Sequence, residues 1–308
     1  MKENQRIWDV LIVGGGTAGY TAALYAARAG LSALVMESAV PGGQIALAET
    51  VENYPGMDTA VSGIALADRL RQGAERAGAK TVLTSVTALA LTEAEKTAET
   101  QAGTFTGRTV IYAAGAAPRR LEVPGEERLR GRGVSYCAAC DGAFFRGRDA
   151  AVVGGGNSAA LEALTLSRLC RRVYLLHRRD TLRAEHTAVQ ALERAGNVTF
   201  LWNAKPEEVL GGHAVTGLRY TDLTCGRVRK LCCDGVFVAI GRAPRTALLA
   251  GQVELDERGY AAADETTRTA LPGVFAAGDV RSKPLRQAVT AAADGAVAAH
   301  FAEAYLRK

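Results

Sequence analysis

Twice in 308 residues the chain runs from a short apolar stretch into three consecutive glycines and on into a helix-forming stretch. Asp9-Val-Leu-Ile-Val13 leads into Gly14-Gly-Gly-Thr-Ala-Gly19, and Ala150-Ala-Val-Val153 into Gly154-Gly-Gly-Asn-Ser-Ala159. Glycines at such a turn let bare backbone approach a pyrophosphate at the N-terminus of the following helix. One motif alone can be a tight turn and nothing more. Two of them, each continued by a helical stretch and a second apolar run (Ala33-Leu-Val-Met36 and Val173-Tyr-Leu-Leu176), point to two dinucleotide-binding units. Gly14, Gly16 and Gly19, with Gly154 and Gly156, are the expected cofactor-binding positions.

The two units differ where the second apolar run ends. The first has Glu37, a carboxylate placed to accept from ribose hydroxyls. At the matching position the second reads His177-Arg178-Arg179, with Arg183 soon after. A carboxylate repels a 2′-phosphate, whereas a guanidinium offers a planar cationic fork to it. The first unit therefore suits a nucleotide with a free ribose, the second NADP(H).

A second echo marks the borders. Val110-Ile-Tyr-Ala-Ala-Gly115-Ala-Ala-Pro118-Arg119 and Val236-Phe-Val-Ala-Ile-Gly241-Arg-Ala-Pro244-Arg245 are apolar strands that both end in A-x-G-x-x-P-R. Gly115 in the first is a further expected cofactor position. After the second come Gly273-Val-Phe-Ala-Ala-Gly278-Asp279 and an alanine-rich helix to Tyr305. The simplest topology inserts one unit into the other. Residues 1–116 and 245–308 form the outer domain and residues 117–244 the inner. Alternating strands and helices make this α/β with parallel sheets. The polar stretch from Ser85 to Thr109 reads as strands and turns covering one sheet.

Four of the six cysteines (Cys170, Cys225, Cys232, Cys233) show no framework spacing. Cys137-Ala-Ala-Cys140-Asp141 stands just before the second glycine motif. A zinc site needs four ligands, and neither a second C-x-x-C nor a histidine cluster exists. A buried structural pair would not explain the neighbouring nucleotide motifs. A redox dithiol does. Asp141 is then the group that holds or moves a proton as thiols form, with a helix cap before Phe144 as the plainer alternative. Between nicotinamide and sulfur a flavin is needed, because it takes hydride and passes two electrons to a disulfide. The outer unit, with Glu37, offers a place for FAD.

Composition fits a globular protein: 48% hydrophobic, 22% charged, net charge +5. Nothing approaches the roughly 20 apolar residues of a membrane span, and the polar start differs from a leader peptide, so the expectation is cytoplasmic. Six arginines between Arg168 and Arg183 could face a phosphate backbone, but without interleaved aromatics the nucleotide reading is stronger.

Over essentially its whole length the chain resembles the low-molecular-weight thioredoxin reductases. The resemblance is carried by Gly14–Gly19, Gly42-Gly43-Gln44, Glu52-Asn53-Tyr-Pro-Gly56, Cys137–Gly142, Gly154–Ala159, His177–Asp180 with Arg183, Ala276–Asp279 and Arg286-Gln287-Ala288. It implies two Rossmann-like domains, the NADPH domain inserted into the FAD domain. It implies FAD contacts from Glu37, Gly43, Gln44, Asn53, Gly278, Asp279, Arg286, Gln287 and Ala288. It implies NADPH contacts from Asn157, Ser158, His177, Arg178, Arg179, Arg183 and Arg242, and a homodimer passing electrons through Cys137 and Cys140 to thioredoxin. The same chemistry with a glutaredoxin-like or peroxiredoxin partner, or a slow flavin-bearing redox sensor, are the alternatives. Unlike larger disulfide reductases, the chain has no cysteine in Pro41–Ala48. It departs from the family's usual pattern at Ala139, where Thr is common, at Leu161, where a Glu often follows the glycine turn, and in the apolar Ile45–Ala48.

Overall fold

The computed structural model describes residues 6–38, 40–48, 50–93 and 95–308. Two compact units emerge, one of Met1–Ala117 with Ala243–Lys308 and one of Pro118–Arg242. Ala117, Ala243 and Pro244, which the sequence assigns to the inner unit, pack with the outer one. The chain passes between units at two short strands, Ala116–Pro118 and Arg242–Pro244, which pair with each other.

In the outer unit, Ile7–Val13 is flanked in parallel by Ala33–Glu37 and Gly103–Tyr112. Lys80–Leu83 and Val274–Ala276 continue the parallel set on either side. The glycine turn after Val13 thus lies at the carboxyl end of a strand whose two neighbours are reached in opposite directions, the place where open α/β sheets bind ligands. The parity of Ile7–Val13 shows why the run is almost entirely apolar. Val10 and Ile12 face one core with the helices α1 (Thr17–Arg28) and, at the chain's end, α6 (Ala288–Leu306). Leu11 and Val13 face a second core on the other side. A strand covered on both faces carries no polar alternation. The Ser85–Thr109 stretch forms strands Val86–Leu91 and Lys96–Thr100, which join the same sheet through antiparallel pairing with Gly103–Tyr112. Leu89, Leu91, Ala98 and Phe105 from these strands pack into the second core. A further α-helix of this unit is α2 (Gly63–Arg76), capped by Ser62, whose Oγ accepts from the Ala65 N–H.

The inner unit repeats the plan. Asp149–Gly154 is flanked by Arg172–Leu176 and Gly235–Ala239, with Val198–Leu201 and Val134–Ser135 at the edges, all parallel. Ala150 and Val152 face one core, Ala151 and Val153 another. Its helices are α3 (Ala138–Asp141), α4 (Asn157–Ser167) and α5 (His186–Arg194). An antiparallel sheet of Ala204–Gly211, Val215–Asp222 and Arg227–Cys232 completes it. Among the described residues no helix is long and apolar enough to cross a membrane.

Candidate functional site

The first glycine turn divides its work among three positions. Gly14 has φ +105°, and a Cβ there would stand 2.5 Å from the Ala113 carbonyl oxygen. A Cβ at Gly19 would overlap the Gly14 carbonyl, so α1 lies directly on the turn. Gly16, the N-cap of α1, has only the Gly42 carbonyl oxygen near such a Cβ, at 3.9 Å. No side chain comes within 4 Å of that Cβ, and the first N–H groups of α1, which lack partners within the helix, suit a phosphate. The Gly15 N–H donates to Glu37 Oε2 at 2.7 Å and fixes the carboxylate beside the turn.

Other expected residues gather around this turn. The Gly42 N–H donates to the Gly15 carbonyl at 2.7 Å, and Gly42 and Gly43 both have positive φ, so this loop lies on the glycine turn. Gln44 Nε2 donates to the Ala116 carbonyl, next to Gly115. Asn53 Nδ2 donates to Gln287 Oε1 at 3.3 Å, and Gln287 caps α6 in a box with Thr290. A Cβ at Gly278 would meet Ala18 Cβ at 2.9 Å, which seats the Gly278–Asp279 turn against the start of α1. Arg286 lies 4.1 Å from the Tyr260 ring centroid, and its buried Nε has no hydrogen-bond partner among the described residues. An open pyrophosphate cradle, a held carboxylate and an orphaned guanidinium nitrogen are what a dinucleotide such as FAD requires.

Sequence reasoning missed the group that secures this end. Asp294 of α6 accepts from the Gly278 N–H (2.9 Å), Arg281 Nη2 (2.8 Å) and Lys283 Nζ (2.9 Å). Burial works against its charge, yet these donors hold its pKa below the usual carboxylate value. An acid next to a glycine in an alanine-rich helix is the only signal the sequence carries for it.

In the inner unit, a Cβ at Gly154 would meet both the Ala239 carbonyl and Ala159 Cβ, at 2.7 Å for the latter, so the bare glycine accommodates the alanine that stands where the first motif has Gly19. Gly156, the N-cap of α4, has nothing within 4 Å of such a Cβ. Asn157 and Ser158 are exposed beside it. Asn157 is clasped to Glu185, donating at 2.9 Å and accepting from its N–H at 2.7 Å. The Arg183 N–H donates to the Gly155 carbonyl at 2.7 Å and brings Arg183 to the turn. Arg178, Arg179 and Arg183 are exposed, and among the described residues none forms an ion pair. His177 differs from them. It is buried with its ring under Gly155, and burial, then Arg183, Arg179 and Arg178, lower its pKa. It supports the turn as a neutral imidazole. Arg171 and Arg172 of the basic run point elsewhere. Both pair with buried Asp149, at 2.9 and 2.6 Å, and hold it down to about 2.

Cys137 and Cys140 are joined as a disulfide, with Cα atoms 5.3 Å apart. The Cys140 and Asp141 N–H groups donate to the Cys137 carbonyl, which closes the turn. Asp141 does not cap the following turn with its side chain. It accepts instead from Ser135 Oγ at 2.6 Å, and Ser135 Oγ in turn accepts from the Cys137 N–H at 3.1 Å. Ser135 and Glu162, which accepts from the Ala138 N–H, are residues that sequence reasoning missed. Arg242 is half-buried and within electrostatic reach of Glu162. Two of the other thiols, Cys170 and Cys233, are poorly suited to redox work. Burial pushes Cys170 up to about 11 and Cys233 up to about 12. Cys232 is exposed while Cys233 is buried, as alternation along an extended chain requires, so these neighbours point apart.

A disulfide beside an Arg-bearing nucleotide turn, and a second nucleotide turn with an acid, define a pyridine-nucleotide-driven flavoprotein. The pyridine nucleotide-disulphide oxidoreductase family model matches residues 8–295, and the chain belongs to that family. A thioredoxin reductase of Mycolicibacterium smegmatis is 47% identical over 99% of both chains, and one of Treponema pallidum is 44% identical over 97% of both. The crystal structure of a Streptococcus pyogenes thioredoxin reductase aligns with a TM-score of 0.92 at 40% identity over 98% of both chains. Within its family the chain thus falls among the thioredoxin reductases, NADPH-dependent flavoproteins whose cofactors are FAD and NADPH.

Proposed function

We propose that the chain reduces thioredoxin with electrons from NADPH that leave through Cys137 and Cys140, and that it works as a cytoplasmic homodimer without nucleic-acid or membrane partners. The observation that carries this reading is the Cys137–Cys140 disulfide with Asp141 held beside it. The outer unit holds FAD through Gly14–Gly19, Glu37, Gly43, Gln44, Gly115, Asn53, Asp279, Arg286, Gln287 and Ala288. The inner unit holds NADPH through Gly154–Ser158, with Arg178, Arg179 and Arg183 on the 2′-phosphate and His177 beneath the turn. When bound, FAD supplies the conversion of a hydride into two electrons for sulfur. Two electrons and two protons turn the disulfide into two thiols. One thiol, deprotonated, attacks the disulfide of thioredoxin to form a mixed disulfide, which the second resolves. Asp141 takes and returns the proton, oriented by the Ser135 hydroxyl.

Cys137→Ser and Cys140→Ser should each abolish turnover with thioredoxin while NADPH still bleaches the flavin. Turnover retained in either variant would move the redox site elsewhere. A panel of thioredoxins, glutaredoxin-like proteins and peroxiredoxins identifies the acceptor, and failure with all of them favours a redox sensor.

A further inference from the structure

Asp141 is not the only carboxylate at the disulfide. Glu162 lies on α4, one turn beyond Asn157 and Ser158. Its neighbour Leu161 is 60% exposed, whereas Glu162 is turned inward and accepts from the N–H of Ala138, between the two cysteines. We infer that Glu162 is a positioning residue of the redox centre, which fixes the Cys137–Cys140 turn through Ala138 and whose negative charge sets the pKa of the thiols formed on reduction. This deepens the reading of Cys137–Cys140 as the redox pair and rests on it.

The charged groups that face Glu162 are Asp141 of α3 and Arg242 of the strand that leaves the inner unit. Burial raises the Glu162 pKa, Asp141 adds to that, and the Ala138 N–H and Arg242 oppose it. Reduction makes the coupling matter. The disulfide takes two electrons and two protons and becomes two thiols. When one thiol releases its proton, the thiolate is a further negative charge beside Asp141 and Glu162. Like charges disfavour one another, so each ionised carboxylate raises the thiol pKa, and the thiolate raises theirs in return. A shared proton is thereby kept at the centre until a partner disulfide draws the thiolate off.

The test is the pH profile of alkylation of reduced holoenzyme by iodoacetamide, read by mass spectrometry of the Cys137–Cys140 peptide. Glu162→Gln keeps an acceptor for the Ala138 N–H and removes the charge. It should move the midpoint down by about one pH unit, with alkylation about tenfold faster at a pH below the midpoint. A midpoint that stays in place or rises overturns the inference, since a purely structural role is rescued by Gln. The second measurement needs no variant. Infrared difference spectra of wild-type holoenzyme, disulfide minus dithiol, should contain a carboxyl band that moves on 13C-glutamate labelling. Its absence also overturns the inference. Failure of the cysteine variants in the turnover assay would instead overturn the redox reading itself.

Discussion

Glu37 ends the second strand of the first motif, Arg179 lies two residues past the matching position in the second, and on the proposed reading the difference between them assigns the two nucleotides. Glu37 is buried and already engaged by the Gly15 N–H, whereas Arg179 is exposed and, among the described residues, outside any ion pair. A charge-assisted bond of the kind Arg179 offers to a phosphate contributes on the order of 1.5–3 kcal/mol. Arg179→Ala should therefore lower kcat/KM for NADPH by roughly ten- to a hundred-fold and leave NADH nearly unchanged. Equal losses with both nucleotides would mean that Arg179 does not touch the 2′-phosphate. His177 and the arginines after it were indistinguishable as candidates in the sequence. They separate where the strand ends at Leu176: His177 turns under the glycine turn, and the chain then leaves the sheet and emerges into solvent.

Helices α1 and α6 show how an element far along the chain completes the first nucleotide turn. Both are rich in alanine, and a Cβ at Gly295 would overlap the Ala18 carbonyl and stand 3.0 Å from the Ala22 nitrogen. Replacing a helical glycine by alanine would by itself favour the helix by about 1 kcal/mol. Here the obstruction is backbone, which cannot rotate away, and overpacking costs about 1–3 kcal/mol. Gly295→Ala should therefore lower the denaturation midpoint and, because α6 carries Gln287 and Asp294 to the site, reduce FAD occupancy of the purified protein. A variant as stable as wild type with full flavin would show that the helix pair has slack.

Among the described residues, four hydrophobic cores divide cleanly between the two units: two lie wholly in the outer one and two wholly in residues 118–242. A segment with its own core can fold alone. Residues 118–242 expressed by themselves should be folded, colourless and able to bind NADPH in preference to NADH. The outer unit is discontinuous, but its cut ends leave from paired strands, so a short glycine-serine linker joining Ala117 to Ala243 closes the gap. That protein should be yellow, with one FAD per chain and no NADPH-driven bleaching. An inner segment that is unfolded in circular dichroism, or an outer one that takes up no flavin, would show that the cores depend on each other.

What the sequence determined alone is what lies close together along it. The glycine turns, the acid and the arginines at the ends of the second strands, and the C-x-x-C all sit within a few residues of the strand or helix that presents them, and the inserted order of units follows from one local pattern repeated. Backbone geometry therefore fixes their places. Tertiary structure decided the rest. Glu162 reaches Ala138, and Asp294 reaches Gly278, across the chain. The Gly42 loop lies on the first turn, and the Ser85–Thr109 strands join the sheet by pairing rather than cover it. No local pattern encodes such pairings. Leu161 and Glu162 are adjacent in sequence, yet one helical step of about 100° puts one in solvent and the other against the Ala138 N–H. Which one faces inward depends on how α4 is seated on the Asp149–Gly154 strand, and only packing sets that.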